Sequence, residues 1–371
     1  MVKEMKKLNE LSVKTWKWLN VNDLSLDSVD FGQIKKYDKE VVKSSNSKVT
    51  ITNDIDKTLG LVNSNNLKTE NIKYGVSEEL VNLAENNYNS SNLIHIGEST
   101  KAEEPVLIEY VLDEKNNVLI DNNVIVAEKN SELTVIIKYS TDSDELALHN
   151  GIAKIYAKDG AKVTLIKIQN MNDKSKHFDS NVAFVGYEAK VKNISIEIGS
   201  QISVTNYMSD LEKTLAESEI KSIYFRANED RIDLSYSSIH RAMRSKSNIE
   251  TRGVLKDNAK KIFRGTLDFK KGAIKSVGAE EEHVILLSPT VKSDSIPLLL
   301  CSEDDVSGAH AASVGNIDEN KLFYLMSRGF SEKEAKKLII EGAFSGIIDE
   351  IKVEEIKEEV MDNIIRRFEN E

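Results

Sequence analysis

Residues 161–168 read AKVTLIKI, and residues 189–198 read AKVKNISIEI. The two stretches open alike and lie 28 residues apart, and SELTVIIKYS begins 30 residues before the first, at Ser131. A strand-like unit returning at a loose period of roughly 20–30 residues is the mark of a solenoid, in which each turn of chain stacks on the one before.

Similar runs fill the neighbourhood. PVLIEYVL (105–112), GIAKIYAKDGAKVTLIKIQN (151–170), NVAFVGYEAKVKNISIEIGS (181–200) and RIDLSYSSI (231–239) are rich in Val, Ile, Thr and Tyr. Many alternate apolar with polar residues, as a half-buried strand does. Val163, Leu165 and Ile168 stand against Lys162, Thr164 and Lys167, so the alternation slips by one near Ile166. Asp-Gly, Asp-Asn and Lys-Gly pairs in KDGAK (158–162), KDNAK (256–260) and KKGA (270–273) predict the turns. A β-sandwich also yields many short strands. More than ten strands with only 3 prolines in the chain favour stacked coils.

The totals exclude several classes. Among 371 residues, 30% are charged and 40% hydrophobic, an ordinary globular composition. The formal net charge of −11 argues against nucleic acid, since phosphate binding needs clustered Lys and Arg. MVKEMKKLNELSVKTWKW at the N-terminus has charges but no apolar run after them, so no secretory signal is expected. The run Ile296 to Cys301 is far too short to span a membrane. A single cysteine excludes an intramolecular disulfide framework and a four-cysteine zinc site, and it agrees with a cytoplasmic location.

Flanking regions differ in character. Residues 1–88 form an N-terminal mixed helical region: Trp16, Trp18 and Leu19 cluster, NSNNLKTEN (63–71) is loop-like, and Ser77 suits the start of a helix whose face carries Leu80, Leu83 and Ala84. Residues 89–315 are the strand-rich core. Residues 316–371 are helical. Asp318 can cap the first helix and Gly329 can end it, and Ser331 with Glu334 forms a capping-box pattern. Ala335, Leu338, Ile339, Gly342 and Ala343 mark one helix face; Val353, Ile356, Val360, Ile364 and Phe368 mark another. Such faces must pack on the strands or on a partner.

At IPLLLCSEDDVSGAHAASVGNIDENKLFYLMSRGFSEKEAKKLIIEGAF (296–344) the residues become specific. Asp304-Asp305-Val306, His310-Ala311-Ala312, Ser313-Val314-Gly315 and the run from Phe323 to Gly329 resemble the C-terminal signature of the SufB/SufD family of iron–sulfur cluster assembly proteins. RGVLKDNAKKIFRGTLDFKKGAIKSVGAEEEHVILLS (252–288) resembles a recurrent coil of that family, and KTWKWLNVND (14–23) is similar to the start of its SufD branch. The resemblance implies a mainly β fold, with a right-handed parallel β-helix core and helical flanks. It implies a non-ATPase subunit that assembles with a SufB-like subunit and docks a SufC-like ATPase on its C-terminal helices. It also implies a transient iron–sulfur cluster shared with the partner subunit and not held by the chain alone. A homodimer stays open. Many SufD relatives place a cysteine two residues before the histidine; here that position is Gly308.

Two residues are candidate metal ligands. His310, among small residues, is either a hydrogen-bonded structural histidine in a tight turn or an iron ligand at a subunit interface, where neutral imidazole replaces a thiolate. Cys301, after three leucines, is either a small buried hydrophobe or a thiolate at the same end. His95, His149, His177, His240 and His283 are scattered, and GAEEEH (278–283) reads as a solvated turn. No phosphate-binding loop, Gly-x-Ser-x-Gly elbow or acid–base carboxylate pair is evident, so no catalytic residue is expected. The alternative class is a β-solenoid hydrolase or lyase acting on polysaccharide, since fold alone does not set function.

Overall fold

A computed structural model of the chain describes residues 5–15, 19–27, 29–53 and 72–369. Strand accounts for 49% of it, in a parallel β-solenoid of about 8 turns. Trp16, Trp18 and the segment 63–71 lie outside the described residues, and Leu19 is exposed. Strands β1 (Met5–Leu8) and β2 (Leu24–Leu26) form a small antiparallel pair. Helix α1 (Glu78–Asn86) starts where Ser77 accepts the Leu80 amide, and it buries Leu80 and Ala84 with Leu83 beside them.

Two sheets of nine strands make the solenoid. The first holds β6 (Val106–Leu112), β8 (Glu132–Thr141), β10 (Lys162–Asn170), β12 (Lys190–Glu197), β14 (Glu217–Arg226), β16 (Lys246–Leu255), β18 (Ser276–Leu286) and β20 (Val306–Asn316). The second holds β5 (Ser90–Ile96), β7 (Val118–Ala127), β9 (Leu148–Ala157), β11 (Lys176–Val185), β13 (Ile202–Leu211), β15 (Arg231–His240), β17 (Lys260–Phe269) and β19 (Lys292–Cys301). Every pairing among these strands is parallel, coil on coil, which rules out the sandwich. The ninth strands, β3 (Val42–Ser44) and β4 (Val49–Thr52), pair antiparallel with β6 and β5 and close the N-terminal end.

The repeat seen in the sequence is the stacking register. Lys162 pairs with Lys190 and Val163 with Val191, while Glu132 pairs with Lys162. The true period varies from 26 residues (Lys176 to Ile202) to 32 (Lys260 to Lys292). Small residues turn the corner at the same place in each coil: Ser131, Ala161, Ala189, Ala216, Ser245 and Ser276 are all buried. The predicted turns each hold a residue in left-handed conformation: Gly160 at φ +69, Asp257 at +56 and Gly272 at +100. A side chain on Gly160 would also strike Asn130 of the coil below.

The slip near Ile166 is not a slip of the strand. The pairing of β10 runs unbroken from Lys162 to Gln169. Val163 and Leu165 face inward, and so does Lys167, whose Nζ lies 2.7 Å from Asp179 Oδ1 across the interior. Ile166 and Ile168 face outward with Ile194, Ile196, Ile223 and Phe225, and all are buried because helices cover them. Halfway along these strands, therefore, polar residues lie inside and apolar residues outside. The periodicity is intact; what covers the outer face has changed.

The cover is C-terminal. Helix α2 (Glu319–Ser327) is capped by Asp318, which accepts from the Asn320 and Lys321 amides, and Gly329 follows at φ +101. Helix α3 (Glu332–Ile348) has the expected Ser331–Glu334 capping box, and α4 (Glu354–Glu369) buries Ile356, Val360, Ile364 and Phe368 as its pattern predicts. The face expected for α3 is wrong. It buries Ala335, Ile340, Phe344, Ile347 and Ile348, leaving Leu338 and Gly342 exposed. The face with four large apolar residues removes more surface from water than one carrying Gly342 and Ala343. Glu350, just after α3, ties the helices down through ion pairs with Lys192 and Lys221.

This packing separates two substitutions on one helix. Phe344→Ala should cost about 3–5 kcal/mol of unfolding free energy, as loss of a buried ring does. Leu338→Ala should stay within about 0.5 kcal/mol, as surface changes do. Denaturant titration of both variants checks this; equal losses would mean that α3 packs on the face expected from its sequence.

Candidate functional site: the open end of the solenoid

The two sheets end differently from how they begin. β19 and β20 have neighbours on one side only, β17 and β18. No further coil covers them among the described residues. Positions that would be core in any earlier coil are therefore exposed. Leu299 continues the inward column of Leu267, and Val314 that of Val284, yet each is 42% exposed. Gly308 lets the two facing strands close on each other, because a Cβ there would lie 2.6 Å from Leu299 Cδ1.

His310 sits on this last strand, not in a turn. The small residues around it lie along this strand, nearly all of them exposed. Its register partner is Glu280, and its Nδ1 lies 2.6 Å from Glu280 Oε2. Its Nε2 is buried and has no hydrogen-bond partner.

GAEEEH is likewise strand, not solvated turn. Within β18, Glu280 and Glu282 point inward and are buried, while Glu281 and His283 point outward and pair with each other. The inward pair is a charged layer closing the coil beneath the open end. Glu282 Oε1 lies 2.6 Å from Lys261 Nζ, and Ser295 donates to its other oxygen. Lys261 donates further to the Asp294 carbonyl and to Ser295 Oγ, at 3.1 and 3.0 Å. Burial pushes the Glu280 carboxyl above its ordinary range, against the pull of His310. Sequence reasoning missed Glu280. The signal was there: counting back in twos from Val284 along a strand places Glu282 and Glu280 inside.

Cys301 is exposed, contrary to the buried reading. It ends β19 opposite Phe269, on the inward column, and it is uncovered because no coil follows. Cys301 and His310 thus share the open coil but lie on facing sheets. Among the described residues no group of three or more His, Cys, Asp or Glu could hold a metal ion. The other histidines have partners elsewhere. His149 contacts Asp121 and His177 at 2.5 and 2.8 Å, and burial holds His177 well below the usual imidazole range. His240 lies between Ser245 and Ser247, and His95 lies 3.4 Å from Glu128.

Comparison with known proteins agrees with this architecture. The profile described as SUF system FeS cluster assembly, SufBD core domain, matches residues 110–343, more than half of the chain. The iron–sulfur cluster assembly protein SufD of Bacillus subtilis (strain 168) is 29% identical over 281 residues, covering 75% of this chain and 64% of the relative. A SufBD family protein of Mycobacterium leprae (strain TN) is 26% identical over 269 residues, 71% of this chain and 30% of the relative. One from Staphylococcus epidermidis (strain ATCC 12228) is 25% identical over 272 residues, 72% and 58%. The chain thus matches less than two thirds of the length of each. No helix among the described residues is long and apolar enough to cross a membrane. With the parallel solenoid, the open end carrying the His310 signature and the profile over most of the core, the chain belongs to the SufB/SufD family of iron–sulfur cluster assembly proteins.

Proposed function

We propose that the chain is a SufD-like, non-ATPase subunit of a cytoplasmic SUF complex, and that it works as a scaffold rather than an enzyme. The observation that carries this reading is the uncovered last coil. A sheet edge with free N–H and C=O groups and exposed core positions, with small side chains along β20, is a template for another chain. A SufB-like subunit with its own solenoid end would continue both sheets. The nascent cluster is cargo at that junction. A cubane needs about four ligands, mostly thiolates, and this chain has one cysteine, so the partner would supply the others. His310 would offer Nε2 to iron, and Cys301, exposed on the facing sheet, stands as a second donor.

The ATPase surface is assigned to α2. The apolar faces of α3 and α4 are used up on the solenoid, but α2 buries none of its residues. Phe323 is 74% exposed and Tyr324 55%, with Met326 and Phe330 beside them. Aromatic anchors of this kind carry most of the binding energy in protein interfaces. A SufC-like ATPase is the partner assigned to them.

Two outcomes follow. Phe323→Ser combined with Tyr324→Ser should weaken co-purification of the ATPase by about tenfold or more without moving the melting temperature, since neither ring is buried. Unchanged co-purification would place docking elsewhere. His310→Ala should leave the fold and the ternary complex intact and lower cluster delivery in cells, with Cys301→Ser doing less. If Cys301→Ser fails to complement while His310→Ala succeeds, the roles are reversed; if His310→Ala dissociates the complex, its role is in the interface. A chain that pairs through β20 only with its own copy would contradict the heterocomplex.

A further inference from the structure

We propose that Glu280 is a positioning residue for His310: it holds the imidazole by Nδ1, so that Nε2, buried and without a hydrogen-bond partner in the last coil, is the lone pair left free. The inference rests on the reading of His310 as the iron-facing residue. It is carried by geometry that the chain builds with some care. Glu280 and His310 are register partners on adjacent parallel strands, with both side chains directed inward, and Nδ1 and Oε2 lie 2.6 Å apart. The carboxylate reaches that position through a slot left by Gly265 on the facing sheet. A Cβ at Gly265 would lie 2.8 Å from both Cγ and Cδ of Glu280 and 3.1 Å from its Oε1.

The neighbouring charges are already assigned, which singles out this pair. Lys261 and Ser295 serve Glu282. Among the described residues the hydrogen-bonding partner found for the Glu280 carboxylate is His310. An ionised carboxylate that is buried to this degree needs a nearby proton donor or cation. Nδ1–H supplies the donor. A cation on Nε2 would add the charge that the buried carboxylate lacks, and the carboxylate in turn raises the donor strength of the imidazole. A free neutral imidazole has no such constraint on which nitrogen keeps the proton. The pairing therefore selects one tautomer, and it is the tautomer that leaves the buried, unpartnered Nε2 as a free lone pair.

The test compares full-length chains labelled with 15N-histidine. Six histidines are present, and His310→Ala identifies the His310 signals by difference. At a pH where the ring is neutral, wild type should show the proton on Nδ1. Glu280→Leu should move it to Nε2, and Gly265→Ala should do the same by displacing the carboxylate. Glu280→Gln keeps an acceptor oxygen and should keep Nδ1–H. Cluster-dependent enzyme activity in cells should fall by about tenfold or more in Glu280→Leu and be restored in Glu280→Gln, as for loss of a carboxylate behind a metal-binding histidine. Should Glu280→Leu fold poorly, Gly265→Ala gives the same readout with the carboxylate retained. An unchanged tautomer in both Glu280→Leu and Gly265→Ala overturns the proposal. So does a switched tautomer with undiminished cluster supply, provided that His310→Ala loses it. If His310→Ala itself retains full supply, the underlying assignment of His310 fails instead.

Discussion

A coil of a parallel solenoid is stable because another coil lies on each side of it. Half of every strand's hydrogen-bonding groups, and half of the contacts of its inward side chains, belong to the neighbour. The two ends are where this fails, and the chain treats them differently. At the N-terminal end β3 and β4 turn antiparallel onto the first coil and close it. At the other end β19 and β20 are left with one neighbour each, and their exposed positions include Leu299 and Val314. The asymmetry leaves the solenoid one end with unpaired strand edges and one end that is closed.

The flanks follow from the same need for cover. The outer face of the first sheet carries Ile166, Ile194, Ile196, Ile223 and Phe225, and α3 and α4 lie on it. On the second sheet, α1 and the N-terminal segment bury Ile120, Ile152, Phe178 and Val204. With apolar residues drawn outward, part of the interior is polar: Lys167 with Asp179, His149 with Asp121, Lys261 with Glu282. Each is a buried ion pair or hydrogen-bonded pair, tolerable because partners are supplied across the narrow interior. The chain after β20 then leaves α2 with its aromatic residues bare, joined directly to the strand that holds His310. A partner on α2 and a partner on the open end would thus be connected through one short stretch.

Much of this was legible in the sequence. The Ala-Lys-Val repeat at 161 and 189 is a register pair in the structure, and the turn residues and helix caps stand where their chemistry requires. What was not legible depended on tertiary cover. Ile166 looked like a broken alternation because helices from more than 170 residues later make its outer face a core. The wrong face of α3 has the same origin: several apolar residues surround the helix, and only the sheet selects among them. Cys301 reads as buried from its three preceding leucines, and it would be in any coil but the last. Glu280 was hidden because acidic clusters usually lie in solvent, while strand parity sent alternate members inward.

The central claim is that the last coil waits for a neighbour. Hydrogen–deuterium exchange of the peptides covering β19 and β20 tests it most directly, measured on the dilute chain alone and then with a SufB-like subunit. The account predicts fast exchange in both strands alone, slow exchange in β9 to β15 throughout, and strong protection of β19 and β20 on complex formation. Exchange in β19 and β20 that is already slow in the isolated monomer, or that stays fast in the complex, would contradict it.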